Sequence, residues 1–209
     1  MKTFKIFISA IIAGICIALG GVIFLSVDSK VVGAIFFTVG LFTICTFGFH
    51  LFTGKFCYVF DNDKHYALMT PIIWLGNLVG TGFIALIVSL TRNVTIREKA
   101  ISLCTTKLDD NLLSLFLLGV VCNIFIFIAV DGFKNIEHQV GKYLALIFGV
   151  VGFILCGTEH CVADMFYFWM SGLITWKSLL CIVIISLGNC VGGVLIPLLR
   201  KVINLKTSK

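Results

Sequence analysis

Residues 157–166 read Gly157-Thr158-Glu159-His160-Cys161-Val162-Ala163-Asp164-Met165-Phe166, and they fall inside an otherwise apolar run from Tyr143 to Met170. Glu159, His160 and Asp164 are costly to place in hydrocarbon, which makes ionisable residues at such depth functional by default. The run therefore predicts a membrane helix interrupted near its centre. A second run, Val31 to Phe60, is broken in the same way by Gly48, His50, Thr53, Gly54 and Lys55. Freed amides and carbonyls find no water in a bilayer, so an interrupted helix has to be enclosed in protein or line a cavity. Two interruptions predict a pore.

The rest of the sequence agrees with a lipid environment. Of 209 residues, 59% are hydrophobic and 12% charged, against about 25% charged in a soluble domain. One crossing takes about 20 apolar residues, so the chain has room for little besides its spans, and a soluble catalytic domain is excluded. The first span is Ile6 to Leu25, too long for the apolar core of a secretory signal. Ala67 to Leu90 is the third, Leu112 to Val130 the fourth and Leu179 to Ile203 the sixth, with the two interrupted runs as second and fifth. The polar stretch 91–111 reads as the one long loop. The nine cysteines lie mostly within apolar runs, without the spacing of a zinc site or the loop positions of a disulfide framework.

The interrupted spans hold the same place in each half of the chain, the sequence pointer to a three-span unit used twice with opposite orientation. Gly76-Asn77-Leu78-Val79-Gly80 matches Gly188-Asn189-Cys190-Val191-Gly192, and His50 to Phe56 matches His160 to Phe166. The expected fold is an all-α integral membrane protein, a single domain over 1–209 with six spans as inverted repeats of about 4–90 and 112–203. With an even number of spans both termini share one side. That side carries Lys2, Lys5, Lys55, Lys64, Lys134, Lys142, Arg200, Lys201, Lys206 and Lys209, ten of the 16 basic residues. The bias places both termini in the cytoplasm. Net charge +6 is thereby accounted for without a nucleic-acid partner.

His160 near the centre of span five is the leading candidate for chemistry, against a structural role as a neutral core histidine bonded to a carbonyl. Phe153, seven residues earlier, would lie nearly two turns away on the same face, about 10.5 Å along the axis. Phe37 and Leu41 are one turn apart in span two, a spacing equally suited to packing. Glu159 and Asp164 each need a partner or a proton, and Lys107 is a candidate partner. The two carboxyls lack a hydrolase motif. Cys156, His160 and Cys161 make a poor metal site, since adjacent helix positions diverge by about 100°. No metal or cofactor is expected.

Taken together, these segments resemble the formate/nitrite transporter family. The likeness rests on Leu51-Phe52-Thr53-Gly54, Gly76 to Gly80, Gly119 with Cys122-Asn123, Gly157 to Phe166, and Gly188-Asn189-Cys190-Val191-Gly192-Gly193. It implies an aquaporin-like fold, a homopentamer with one pore per protomer, and conduction of small monovalent anions. By the same resemblance the central histidine is His160, and Thr53 is the threonine of the loop facing it. Phe37 with Phe153 and Leu41 with Leu51 form the outer and inner apolar constrictions. Lys107 is the basic residue before span four, Glu159 its acidic partner, and Asn123 and Asn189 complete the polar network.

The chain departs from the family pattern at Asp164, where an Asn is usual, and begins almost directly at span one, which leaves little of an amphipathic N-terminal gating segment. The expected function is a channel for formate, with nitrite or hydrosulfide close behind, in the inner cell membrane. Lys107 and the half-helix N-termini would gather the anion, and His160 would donate a hydrogen bond and, in the proton-assisted variant, a proton. A neutral-solute or ammonium channel, and a membrane-embedded metal-dependent enzyme, are the competing expectations.

Overall fold

A computed structural model describes residues 2–203, all of whose regular elements are helical; Lys206 and Lys209 lie outside the described residues. The order is α1 (Lys2–Ser26), α2 (Lys30–Phe47), α3 (Phe52–Phe56), a 3-10 turn (Val59–Asp61), α4 (Lys64–Ser89), α5 (Val94–Asp109), α6 (Leu112–Asn135), α7 (Gln139–Leu155), α8 (Cys161–Ser171) and α9 (Trp176–Val202). Five of these, α1, α2, α4, α6 and α9, are long and apolar enough to cross a membrane, and α7 is a shorter apolar helix. Large apolar side chains such as Phe36, Phe83, Leu86, Phe148 and Leu187 are exposed around the protomer, an outer surface suited to lipid or to neighbouring apolar protein rather than to water.

Both interruptions occur, each with a local cause. Helix α2 stops at Gly48, whose φ of +74° is left-handed backbone that closes the last turn through its N–H to Ile44 O. Helix α7 stops after Leu155, where Gly157 has φ +65° and the Thr158 hydroxyl donates to Phe153 O at 2.9 Å. The chain resumes as α3 and α8. Helix α8 is the most enclosed element, with all but Trp169 of its 11 residues buried.

The stretch 91–111 is not a loop. Residues 94–109 form α5, with Ile96, Ala100, Cys104 and Lys107 as its buried stripe, packed against α8. Its polar composition hid this, because a helix lying against protein needs only one narrow apolar face.

Glycines set the closest approaches. Helix α1 packs most extensively on α4 and α6 on α9. A Cβ on Gly80 would run into Ile11 O and one on Gly192 into Val120 O, while Gly76 and Gly188 face Phe7 O and Phe116 O in the same manner. The two helix pairs thus use matching glycines against matching carbonyls. A Cβ on Gly48, by contrast, would meet nothing within 4 Å. Gly192→Val is therefore expected to prise α6 from α9 and cost more than the about 1–3 kcal/mol of ordinary overpacking. Gly48→Ala should cost about 1–2 kcal/mol from backbone strain alone. Thermal unfolding in detergent ranks the two, and a Gly48→Ala penalty larger than that of Gly192→Val would show that backbone conformation outweighs close approach.

Candidate functional site

Two asparagines hold the starts of the short helices. Asn77 Oδ1 accepts from Phe52 N–H at 2.8 Å, and its Nδ2 donates to Ala10 O and His50 O. Asn189 Oδ1 accepts from Cys161 N–H at 2.9 Å, and its Nδ2 donates to Gly119 O and Glu159 O. Both are fully buried, where an unpaired amide would be costly. The two clamps match bond for bond, which makes Phe52 the counterpart of Cys161 and Leu51 that of His160. Aligning the chain on its two histidines, His50 with His160, is therefore one residue out of step. The sequence alone gives Asn77 no role, although its Gly-Asn-x-Val-Gly setting repeats that of Asn189. Because these amides are occupied, the helix starts present fewer free N–H groups than the broken-helix pattern alone suggests.

His160 is the N-cap of α8, and its Nδ1 accepts from Ala163 N–H at 3.1 Å. With Nδ1 occupied as an acceptor, the ring proton of the neutral imidazole belongs on Nε2. Nε2–H then donates to Thr53 Oγ1 at 2.9 Å. Asn123 Nδ2 fixes this junction by donating to Thr53 O at 3.2 Å and Asn189 O at 2.7 Å, so α6 ties α3 to α9.

Apolar groups enclose the pair. The Phe153 ring stacks on His160 at 5.6 Å between centroids, and its other neighbour, Phe37, meets it edge-on at 5.9 Å. The expected two-turn separation of Phe153 and His160 fails because the helix ends at Leu155; the break folds the rings together. Phe37, Leu41, Leu51, Phe153, Thr53 and His160 are each no more than 4% exposed, so solvent does not reach this cluster. Leu41 and Leu51 line a cavity of about 1320 Å³ together with Lys55, Lys142 and Lys201.

Lys107, in the last turn of α5, reaches both carboxyls. Its Nζ bonds Glu159 Oε2 and lies 3.1 Å from Asp164 Oδ1. All three are more than nine-tenths buried, and Asp164 Oδ2 has no partner. One cation thus serves two carboxyl groups. This engages the acids a metal-dependent hydrolase would have used, and it leaves Lys107 no surplus charge if both acids are ionised.

Five helices long and apolar enough to cross a membrane, around a buried polar contact between two broken helices, define a multi-pass membrane protein. The chain belongs to the formate/nitrite transporter family, which it matches over residues 1–202. That family comprises transporters and channels, not enzymes. The chain is similar to the formate channel FocA of Haemophilus influenzae, 28% identical over 195 residues that cover 83% of this chain and 68% of that one. It is 31% identical to the nitrite transporter NirC of Salmonella typhimurium over 166 residues, 73% of this chain and 60% of the relative. A solved pentameric formate channel with formate bound superposes with a TM-score of 0.82 at 26% identity, covering 98% of each chain.

Proposed function

We propose that the protein is a channel for small monovalent anions, formate first, with nitrite and hydrosulfide close behind. Six spans form two inverted three-helix repeats of about 4–90 and 112–203, five such protomers assemble into a homopentamer, and both termini face the cytoplasm of the inner cell membrane. The reading of the repeats is supported by the matching asparagine clamps and glycine contacts. The pentamer and the substrate are supported by the likeness to the pentameric formate channel.

The observation that carries the function is the contact of His160 Nε2 with Thr53 Oγ1, held between two helix starts and enclosed by apolar groups. An ion loses tens of kcal/mol of solvation on entering a low-dielectric medium, so a fixed donor at the narrowest point has the largest effect there. When Thr53 gives way, the anion takes its place as acceptor of the His160 Nε2–H. In the proton-assisted variant Nδ1 first takes a proton from water and releases Ala163 N–H, and the imidazolium then hands its Nε2 proton to the anion and is left as the neutral Nδ1–H tautomer. Lys107, Glu159 and Asp164 brace α8 from behind this contact.

Flux of formate in proteoliposomes tests the reading, with an uncharged solute such as glycerol as comparison. Formate transport without matching glycerol transport is expected; glycerol flux with no formate flux would identify a neutral-solute channel instead. Leu51→Ala, which trims the inner slit and admits water, should raise formate flux or relax its selectivity severalfold. Lost flux in a folded pentamer would show that Leu51 is packing rather than gate.

A further inference from the structure

The charges around the cavity are unevenly paired. Five cations line it, Lys55, Lys134, Lys142, Arg200 and Lys201, against two carboxylates, Asp61 and Asp131. Arg200 bonds Asp131 at 2.7 Å and Lys201 bonds Asp61 at 2.6 Å. Among the described residues no carboxylate lies within 4 Å of Lys55, Lys134 or Lys142. Five positive charges less two negative leave the wall at +3, whereas Lys107 with both acids ionised sums to −1. The field that can gather anions thus arises in the cavity and not at Lys107.

Two of the unpaired lysines are well placed. Lys55 is half-buried and one turn beyond Leu51, whose carbonyl accepts its backbone N–H at 2.8 Å. Its ammonium is therefore carried by the same short helix that bears Thr53. Lys134, at the end of α6, has its Nζ 4.6 Å from the centre of the Tyr58 ring, a cation–π contact that holds a flexible side chain in place. Both residues line the same cavity. Like charges facing a part-buried cavity repel more strongly than in water, and an anion between them relieves both.

We propose that Lys55 and Lys134 form an anion-capture site in the cavity beyond Leu51, which takes small monovalent oxyanions of carboxylate type and presents them to the slit. The site rests on the reading of the protein as a small-anion channel. It acts on anions arriving from the cavity side alone, because the buried cluster at Leu41, Leu51 and His160 separates it from the opposite face.

The test is formate current through the full-length protein in a planar bilayer, with formate added to one side at a time. At low ionic strength Lys55→Gln and Lys134→Gln should each raise the half-saturating formate concentration from the cavity side about threefold to tenfold, and together more. From the other side it should stay put. Near 1 M inert salt, where the Debye length is about 3 Å, the difference should vanish. Lys55→Arg should keep the wild-type value. Lys134 is exposed, so its substitution keeps the test alive if Lys55→Gln fails to fold. Unchanged half-saturation in both folded variants, an equal change from both sides, or a fall in maximal current alone would overturn the capture site. A wild-type protein that passes no formate would instead overturn the channel reading beneath it.

Discussion

Lys107→Met is expected to destabilise the protomer by about 3–5 kcal/mol, the range for removing one partner of a buried ion pair. The methionine leaves Glu159 and Asp164 side by side, both more than nine-tenths buried, without the cation that joins them. In detergent this should appear as a large drop in unfolding temperature and a shift from oligomer to aggregate on gel filtration. The triple variant Lys107→Met, Glu159→Gln, Asp164→Asn removes the charges together and should recover most of the loss, since neutral side chains carry far less desolvation penalty. Asp164→Asn alone should be neutral or stabilising, because it removes the second acid that shares Lys107 with Glu159 in favour of a neutral side chain of the same shape. If Lys107→Met unfolds no earlier than wild type but loses flux, Lys107 is a field source for the anion and not a brace. Should Asp164→Asn prove as damaging as Lys107→Met, the reading of two acids sharing one cation would fail.

His160 gives the second large effect, and two substitutions divide its roles. His160→Phe removes both the cap on Ala163 N–H and the donor to Thr53, so it should cost about 1 kcal/mol of stability as well as flux. His160→Asn keeps a capping oxygen, since Asn is among the best N-cap residues, but cannot place its amide where Nε2 stands. It should unfold close to wild type. A hydrogen bond to a charged group is worth about 1.5–3 kcal/mol, so formate flux should fall about tenfold to hundredfold in both variants. Because Nδ1 already accepts from Ala163 N–H, we expect His160 to act as a hydrogen-bond donor that hands over no proton, and the relative rise of uptake with falling external pH should be the same in wild type and His160→Asn. Wild-type uptake that climbs with acidity beside a flat His160→Asn would instead establish proton hand-over. Full flux in folded His160→Asn would return the histidine to a purely structural role.

Much of the site was legible before any coordinates. Glu159, His160 and Asp164 stand out because an apolar run makes every ionisable residue expensive, whereas Lys107 is singled out as their partner by the family resemblance and not by spacing, since Lys142 and Lys177 are nearer in the sequence. The interruptions at Gly48 and Gly157 were visible for a related reason: left-handed backbone and unpaired amides leave a mark in residue type, and both glycines do have positive φ. The features that composition does not mark lie in segments ordinary for their location. Helix α5 looked like loop because its buried stripe is four residues wide in steps of three or four, and Lys55 and Lys134 looked like orientation charges because unpaired lysines at a membrane surface are the rule.

The sequence by itself determined that the chain lives in lipid, that two of its membrane runs are broken, and which residues sit at the breaks, since burial of polar groups in hydrocarbon penalises each such residue individually and locally. It also carried the family, through several short motifs in a fixed order. The tertiary structure alone decided what those residues do to one another. It decided which residues correspond between the two asparagine clamps, with Leu51 and not His50 in the place of His160, because that depends on which amide each asparagine holds. It decided that Phe153 stacks on His160 instead of sitting two turns away, because a broken helix changes direction. It made Lys107 a shared partner of two acids and left the cavity lysines unpaired, because the sign and reach of a charge depend on every neighbour that folding brings within a few ångströms.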